Sequence, residues 1–134
     1  RGDEFGATTG RPRRCGWFDA VAGRYAADVN GLDRIVLTKL DVLSGIDTLK
    51  VCTGYEIDGE TRTNFPNWVE VLEKCKPVYE ELPGWTEDIS AVTAWADLPE
   101  NCRAYVRRLG ELLGVPVTIV SNGPGRDHWI DATK

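Results

Sequence analysis

Residues 6–14 concentrate small, hydroxylated and guanidinium groups in one short segment ahead of an amphipathic stretch. The glycine and alanine residues in this segment let a ligand approach the backbone, and the hydroxyls of Thr8 and Thr9 can donate or accept hydrogen bonds. The guanidinium groups of Arg11, Arg13 and Arg14 match a carboxylate or a phosphate with two parallel hydrogen bonds. The segment therefore predicts a loop that binds an anion.

Two other interpretations of this basic segment remain open. It can be an ordinary solvated turn, and residues 9–14 also resemble the minor-groove hook of some DNA-binding tails. The chain, however, carries 16 Lys and Arg against 21 Asp and Glu, which gives a net charge of -5. This balance argues against general affinity for nucleic acid, so a polyanionic ligand must be held by a local basic site. Residues 11–14 are the densest such site.

A second candidate site follows the β-branched run at residues 34–38. Thr38, Lys39, Leu40 and Asp41 come at the carboxyl end of this predicted strand, where open α/β sheets bind ligands. The carboxylate of Asp41 can accept hydrogen bonds from N1–H and the 2-amino group of guanine, whereas adenine offers neither donor. The stem of Lys39 can lie along the face of the base. The alternative is that Lys39 and Asp41 are two exposed charges without a ligand.

Residues 121–124, with the sequence Ser-Asn-Gly-Pro, follow a predicted strand at 117–120 in the same way. A serine followed by a glycine leaves backbone amides free to donate to O6 or the ring of guanine, and this segment could come alongside residues 38–41. The alternative is a plain turn.

Alternating helical and strand patterns must position these loops, and they predict a mixed α/β fold. The predicted elements are a helix at 17–30, strands at 34–38, 48–57 and 60–65, a short helix from 67, a strand at 77–81, a helix that begins with a capping box at 97–100, and a strand at 117–120. The first helix is expected to bury Phe18, Val21, Ala22, Tyr25, Ala26 and Val29. Its N-terminus is expected to point at the Thr/Arg loop of residues 6–14 and to add free amides to the anion site.

Composition limits the remaining possibilities. A chain of 134 residues that is 42% hydrophobic can bury enough surface for one globular domain. No apolar run approaches membrane-spanning length, so we expect a soluble, cytoplasmic protein. The four cysteines lack Cys-x-x-Cys spacing and are expected to be free and mostly buried, and His128 is expected to have no role. The phosphate-loop motif Gly-x-x-x-x-Gly-Lys-[Ser/Thr] does not occur, so the triphosphate of a bound nucleotide must be held by other residues.

The three motifs occur in the order found in adenylosuccinate synthetases. Residues 8–14, 37–41 and 121–124 resemble the C-terminal part of that family, with the patterns Thr-Thr-Gly-Arg-x-Arg-Arg, Leu-Thr-Lys-Leu-Asp and Ser-x-Gly-Pro. Supporting stretches that are also similar lie at 15–19, 42–45, 76–79, 82–85 and 112–116. The resemblance covers most of the chain up to Pro124.

This resemblance implies a GTP-dependent ligase of purine biosynthesis, in which GTP and Mg²⁺ phosphorylate the 6-oxygen of IMP and L-aspartate then displaces phosphate to give adenylosuccinate. The implied fold is the C-terminal portion of a P-loop-type GTP-binding fold, with a mixed, largely parallel sheet flanked by helices. Residues 1–134 would form a single segment of a cytoplasmic, homodimeric parent, which has IMP, L-aspartate and GTP as partners and no nucleic acid or membrane partner.

The resemblance also implies roles for individual residues. The aspartate loop would comprise Ala7, Thr8, Thr9, Gly10, Arg11, Pro12 and Arg13. Arg11 would also contact IMP, and Arg13 would also contact GTP. The guanine would be held by Lys39, Leu40, Asp41, Ser121, Asn122 and Gly123.

The phosphate loop, the catalytic residues and the Mg²⁺ ligands of the family belong to an N-terminal part that this sequence does not match. No catalytic or metal-binding residue is therefore expected among these residues, and the isolated chain is expected to be inactive. Gly125 stands where the family usually has an acidic residue, and residues 128–131 depart from its usual pattern. The alternative function is a non-catalytic guanine-nucleotide-binding or interaction module, and a third is nucleic-acid binding through residues 11–14.

Overall fold

The longest helix, α3 (Glu100–Leu113), packs against two small β-sheets in the computed structural model, which describes residues 2–133. Its apolar side chains recur every three or four residues, which places them on one face of the helix. The buried members of that face are Cys102, Tyr105, Val106, Leu109 and Leu113. The helix ends at Gly114, whose φ of 69° is the left-handed conformation that a glycine adopts without steric cost.

The capping box predicted at the start of α3 is wrong. Asp97 lies in a short 3-10 turn, Trp95–Asp97, and the residue at the N-cap is Pro99, which has no side-chain group to accept a hydrogen bond from the helix. Pro99 fixes its own backbone and disfavours helical geometry at Leu98, so the helix begins at Glu100.

The first sheet is built around a long central strand. Its strands are β1 (Phe18–Asp19), β3 (Ile46–Ile57), β4 (Glu60–Arg62) and β5 (Lys76–Trp85). Strand β3 pairs in parallel with β1 and antiparallel with both β4 and β5. The predicted Asp58-Gly59 turn joins β3 to β4, and both turn residues have positive φ, as a type I′ hairpin turn requires.

The second sheet carries the predicted base-binding segments. It consists of β2 (Ile35–Leu37), β6 (Val117–Ser121) and β7 (Trp129–Asp131), in the order β2, β6, β7. Strands β2 and β6 are parallel, and β7 is antiparallel to β6. One core joins both sheets to α3, since Val51 of β3, Leu109 of α3 and Val120 of β6 belong to the same buried cluster.

The predicted mixed α/β class is confirmed, but the sheet is not largely parallel. Within residues 2–133, two of the five strand pairings are parallel and three are antiparallel. For two of the three antiparallel pairs, the reason is the length of the connections. The Asp58-Gly59 turn and the short segment between β6 and β7 can join only antiparallel neighbours.

Helix α1 (Ala20–Asn30) buries a different face from the predicted one. Its buried residues are Ala20, Val21 and Ala27, whereas Val29 is 61% exposed. The helix approaches α3 closely, because a Cβ placed on Gly23 would lie 2.6 Å from Leu113 Cδ2. The missing side chain at Gly23 therefore leaves the space that Leu113 occupies between the two helices.

The remaining elements extend the predicted pattern. The short helix α2 (Val69–Leu72) lies where one was expected, and β5 is longer than predicted. All four cysteines are free, as predicted, but only Cys52 and Cys102 are buried. Among the described residues, no helix is long and apolar enough to cross a membrane.

Close contact between β3 and β5 makes Gly84 sensitive to substitution. A Cβ at this position would lie 1.7 Å from the carbonyl oxygen of Ile46, so Gly84→Ala should force the two strands apart. We expect a loss of roughly 2 kcal/mol or more in the free energy of unfolding, measured by urea denaturation. Gly16→Ala is the matched control, because no atom lies within 4 Å of its Cβ position. Equal stability of the two variants would contradict this packing.

Candidate functional site

The predicted base-binding segments come together because β2 and β6 are parallel neighbours. Leu37 is paired with Val120, so residues 38–41 and 121–124 leave the sheet side by side at the carboxyl ends of their strands. This is the edge of an α/β sheet at which ligands bind. The prediction that the two segments could lie alongside each other is confirmed.

A cavity of about 540 Å³ opens between these two segments. Its lining residues are Gly2, Asp3, Thr38, Lys39, Asp41, Val42, Ser121, Gly123 and Pro124. Lys39, Asp41, Ser121 and Gly123 are four of the six residues predicted to hold guanine. The cavity therefore unites a carboxylate, an ammonium group and a glycine-containing turn.

The other two predicted base residues, Leu40 and Asn122, turn their side chains into the protein. Leu40 is 1% exposed and belongs to the main core. Asn122 is also 1% exposed, and its Nδ2 donates to the carbonyls of Ile89 at 2.6 Å and Val92 at 2.8 Å. Only the backbone of these two residues can face a ligand in the cavity.

Lys39 stands in the left-handed conformation, with φ of 60°, at the start of the 3-10 turn Leu40–Leu43. Its Nζ donates to the carbonyl of Gly2 at 2.8 Å and to the carboxylate of Glu4. The other carboxylate oxygen of Glu4 accepts from Arg13 Nη1 at 3.1 Å. The ammonium of Lys39 first, and then the guanidinium of Arg13, hold the pKa of Glu4 below its ordinary value.

Glu4 thereby links the Thr/Arg loop to the end of β2, and sequence reasoning missed it. The only sequence signal is an acidic residue just before a basic loop. Its second partner, Lys39, is 35 positions away, so the pairing depends on the tertiary fold.

The Thr/Arg loop is a tight turn closed by its own backbone. Phe5 and Pro12 form an antiparallel bridge, and the Gly6 N–H donates to the Arg11 carbonyl at 2.8 Å. The Gly10 N–H returns to the Gly6 carbonyl at 2.8 Å. Residues 7–13 are all exposed, although Thr9 Oγ1 accepts from the Arg11 N–H at 3.3 Å and the Arg13 guanidinium is paired with Glu4.

The expectation that α1 adds free amides to the anion site is wrong. Asp19 caps the helix, and its Oδ1 accepts from the N–H groups of Val21 and Ala22, both at 3.0 Å. The other carboxylate oxygen accepts from the hydroxyl of Tyr55, whose pKa is raised by burial and then by this contact. An internal carboxylate therefore occupies the place that an external anion would take.

His128 has a structural role, contrary to expectation. Its Nδ1 accepts a hydrogen bond from the Gly125 N–H at 3.2 Å, and its carbonyl accepts from the Asn122 N–H at 3.2 Å. Ser121 adds a hydrogen bond from its hydroxyl to the Gly123 carbonyl at 3.1 Å. Together these contacts shape the turn at one side of the cavity.

The described residues do not include three or more His, Cys, Asp or Glu grouped closely enough to hold a metal ion. The donor set at the cavity consists of one lysine, the carboxylates of Asp3 and Asp41, and neutral groups. With two carboxylates and an ammonium group, the cavity lining is not a complete Mg²⁺ site by itself.

Asn122→Asp should be strongly destabilising, because a buried carboxylate would face the carbonyl oxygens of Ile89 and Val92 without a proton to donate. We expect a loss of roughly 3 kcal/mol or more in unfolding free energy, measured by denaturant titration. Asn101→Asp is the matched control, since Asn101 is exposed and donates one side-chain hydrogen bond, to the Gly84 carbonyl. Similar losses in both variants would contradict the anchoring role of Asn122.

Comparison with known proteins gives consistent matches over almost the whole chain. A family model described as adenylosuccinate synthetase matches residues 1–130. The adenylosuccinate synthetases of Geotalea daltonii and Moorella thermoacetica are each 58% identical, over 129 and 130 residues, and that of Trichlorobacter lovleyi is 60% identical over 127 residues. These alignments cover 96%, 97% and 95% of this chain, respectively, and 30% of each relative.

Comparison of the fold with solved structures identifies the same family. The structure of fully ligated adenylosuccinate synthetase from Plasmodium falciparum matches with a TM-score of 0.92 and 40% identity, over 97% of this chain and 32% of that chain. The chain thus spans about 30% of the length of the curated relatives it matches, and these matches do not confirm the predicted C-terminal position. Sequence and fold together show that the chain belongs to the adenylosuccinate synthetase family, as part of its P-loop-type nucleotide-binding fold.

Proposed function

We propose that the protein carrying this chain uses GTP to join L-aspartate to IMP, giving adenylosuccinate in purine biosynthesis. In this proposal the chain supplies the aspartate loop and the guanine site. The observation that carries it is the cavity at the carboxyl ends of β2 and β6, which is lined by Lys39, Asp41, Ser121 and Gly123. Membership of the family supports the ligase activity.

The guanine site works by matching donors with acceptors. The Asp41 carboxylate accepts from N1–H and the 2-amino group of the base, and the stem of Lys39 covers one face of the ring. Backbone amides of the turn at Ser121–Gly123 are available to O6. Leu40 and Asn122 contribute through their backbone and through the anchoring of their side chains.

The Thr/Arg loop binds aspartate in this proposal. Ala7, Thr8, Thr9, Gly10 and Pro12 shape the loop and offer hydroxyl and backbone groups, while Arg11 and Arg13 supply the positive charge. Arg11 also contacts IMP. Arg13 also contacts GTP, which is consistent with its link through Glu4 to Lys39 beside the cavity.

Residues 1–134 act here as one C-terminal segment of a cytoplasmic homodimer. The phosphate loop, the Mg²⁺ ligands and the catalytic residues come from the rest of the parent. The proposal is supported by the absence of the phosphate-loop motif from these 134 residues. The guanine and aspartate motifs, by contrast, are both present.

Base choice tests the role of Asp41 in the full-length protein. Asp41→Asn should lower kcat/KM for GTP roughly 10- to 100-fold and shift the preference toward XTP. The reason is that an amide can donate to the 2-oxo group of xanthine where a carboxylate cannot. The measurement is kcat/KM for each nucleotide at saturating IMP and aspartate. Asp33→Asn, an exposed aspartate before β2, is the control and should leave base choice unchanged. An unaltered GTP preference in Asp41→Asn would remove Asp41 from the site.

Arg11→Lys separates a substrate loop from a generic basic patch. Lysine keeps the charge but loses the planar fork, so a bidentate carboxylate contact should be lost at a cost of about 1.5 to 3 kcal/mol. We expect kcat/KM for aspartate to fall roughly tenfold to a hundredfold, with aspartate varied at saturating IMP and GTP. Arg24→Lys on the exposed side of α1 is the matched control.

A solvated turn or a DNA hook would tolerate lysine, since both work mainly through charge. Unchanged aspartate kinetics in Arg11→Lys would therefore refute the loop assignment. Tight, salt-sensitive DNA binding by the wild-type protein would favour the nucleic-acid alternative.

A further inference from the structure

The imidazole of His128 occupies the space beside Gly123 that a side chain would need. A Cβ built on Gly123 would lie 2.1 Å from His128 Nδ1, 2.8 Å from Cγ and 3.0 Å from Cε1. The ring is therefore packed directly on the backbone of a residue that lines the cavity. No residue other than glycine fits at position 123 while the ring stays in place.

The same ring also holds the far side of the turn. The Gly125 N–H donates to Nδ1 at 3.2 Å, and the His128 N–H donates back to the Gly125 carbonyl at 3.1 Å. Because Nδ1 accepts this hydrogen bond through its lone pair, Nδ1 carries no proton. The carbonyl of His128 accepts from the Asn122 N–H, so this one residue holds the turn at 122, 123 and 125.

We propose that His128 is a positioning residue for the base site, and this inference rests on the proposed guanine function. The ring, through Nδ1, fixes the Gly123–Gly125 turn so that its backbone faces Asp41 across the cavity. Asn122 anchors the start of the turn from inside the protein, and His128 fixes its outer part. Neither side chain needs to touch the nucleotide for the turn to be formed correctly.

Three substitutions separate the hydrogen bond from the packing of the ring. His128→Asn keeps an acceptor, because its Oδ1 is attached at the same carbon as Nδ1. His128→Phe keeps a ring but has no acceptor, and His128→Ala removes both. Asp127→Asn, at the exposed neighbouring residue, is the control.

The experiment uses the full-length protein and two measurements, hydrogen exchange of the amides at 122–128 and equilibrium binding of GTP. We expect His128→Ala and His128→Phe to raise the hydrogen-exchange rate of the Gly125 amide. Both should also lower the affinity for GTP roughly threefold to tenfold and leave the affinity for IMP unchanged. His128→Asn should remain near the wild type in both measurements. The Asp127→Asn control should change neither.

A double substitution tests the packing. Gly123→Ala alone should displace the turn and lower the affinity for GTP, because the added Cβ would clash with the imidazole of His128. In the His128→Ala background the same change should have a much smaller further effect, since the ring is gone. Equal effects in both backgrounds would overturn the inference.

The outcomes also distinguish this inference from the proposed function. If exchange at Gly125 or GTP affinity is unaffected by His128→Ala and His128→Phe, while Asp41→Asn still shifts base choice, the positioning role is refuted and the guanine site stands. If neither the Asp41 nor the His128 variants alter GTP binding, the guanine site itself is refuted, and the positioning role with it.

Discussion

The parallel pairing of β2 and β6 is the constraint on which the candidate site depends. Two strands of three and five residues bring residues that are about 80 positions apart in the chain to the same edge of a sheet. Neither segment has a cavity by itself, because each contributes only one wall. The pairing in turn depends on α3, since Val117 and Val120 of β6 are buried in the cluster that contains Val106 and Leu109. Helix α3 thus supports the site without contributing a residue to the cavity lining.

In both loops at this edge, one buried residue lies between two residues that line the cavity. Lys39 and Asp41 line the cavity while Leu40 between them is buried, and Ser121 and Gly123 line it while Asn122 between them is buried. One buried side chain in the middle of each loop fixes the directions of its two neighbours. The anchor after β2 is apolar, whereas the anchor after β6 is the polar Asn122, whose side chain donates to the backbone carbonyls of Ile89 and Val92. The buried side chains of Leu40 and Asn122 therefore attach the two loops of the cavity to the protein interior.

The two strands that carry the cavity, and the cavity's position, could be predicted from the sequence, because they depend on local patterns. Apolar runs located β2 and β6, and the polar residues that follow them located the cavity. The missed features depend on distant partners. The bridge from Glu4 to Lys39 joins residues 35 positions apart, and the role of His128 depends on a turn whose return strand, β7, is only three residues long. The buried face of α1 was mispredicted because helical spacing does not show that Gly23 brings the helix against Leu113.

The two halves of the proposed site, the cavity loops and the Thr/Arg loop, are held in place by different contacts. They therefore differ in how far they can move. The two loops that line the cavity, residues 38–41 and 121–124, cannot shift without disturbing Leu40 and Asn122 in the interior. The Thr/Arg loop is held by hydrogen bonds within its own backbone and has exposed side chains, so it can change shape without disturbing the core. Glu4 joins the two halves through half-exposed charges, which contribute little to stability individually. Because Arg13 and Lys39 both contact this one carboxylate, Glu4 holds the exposed loop next to the cavity.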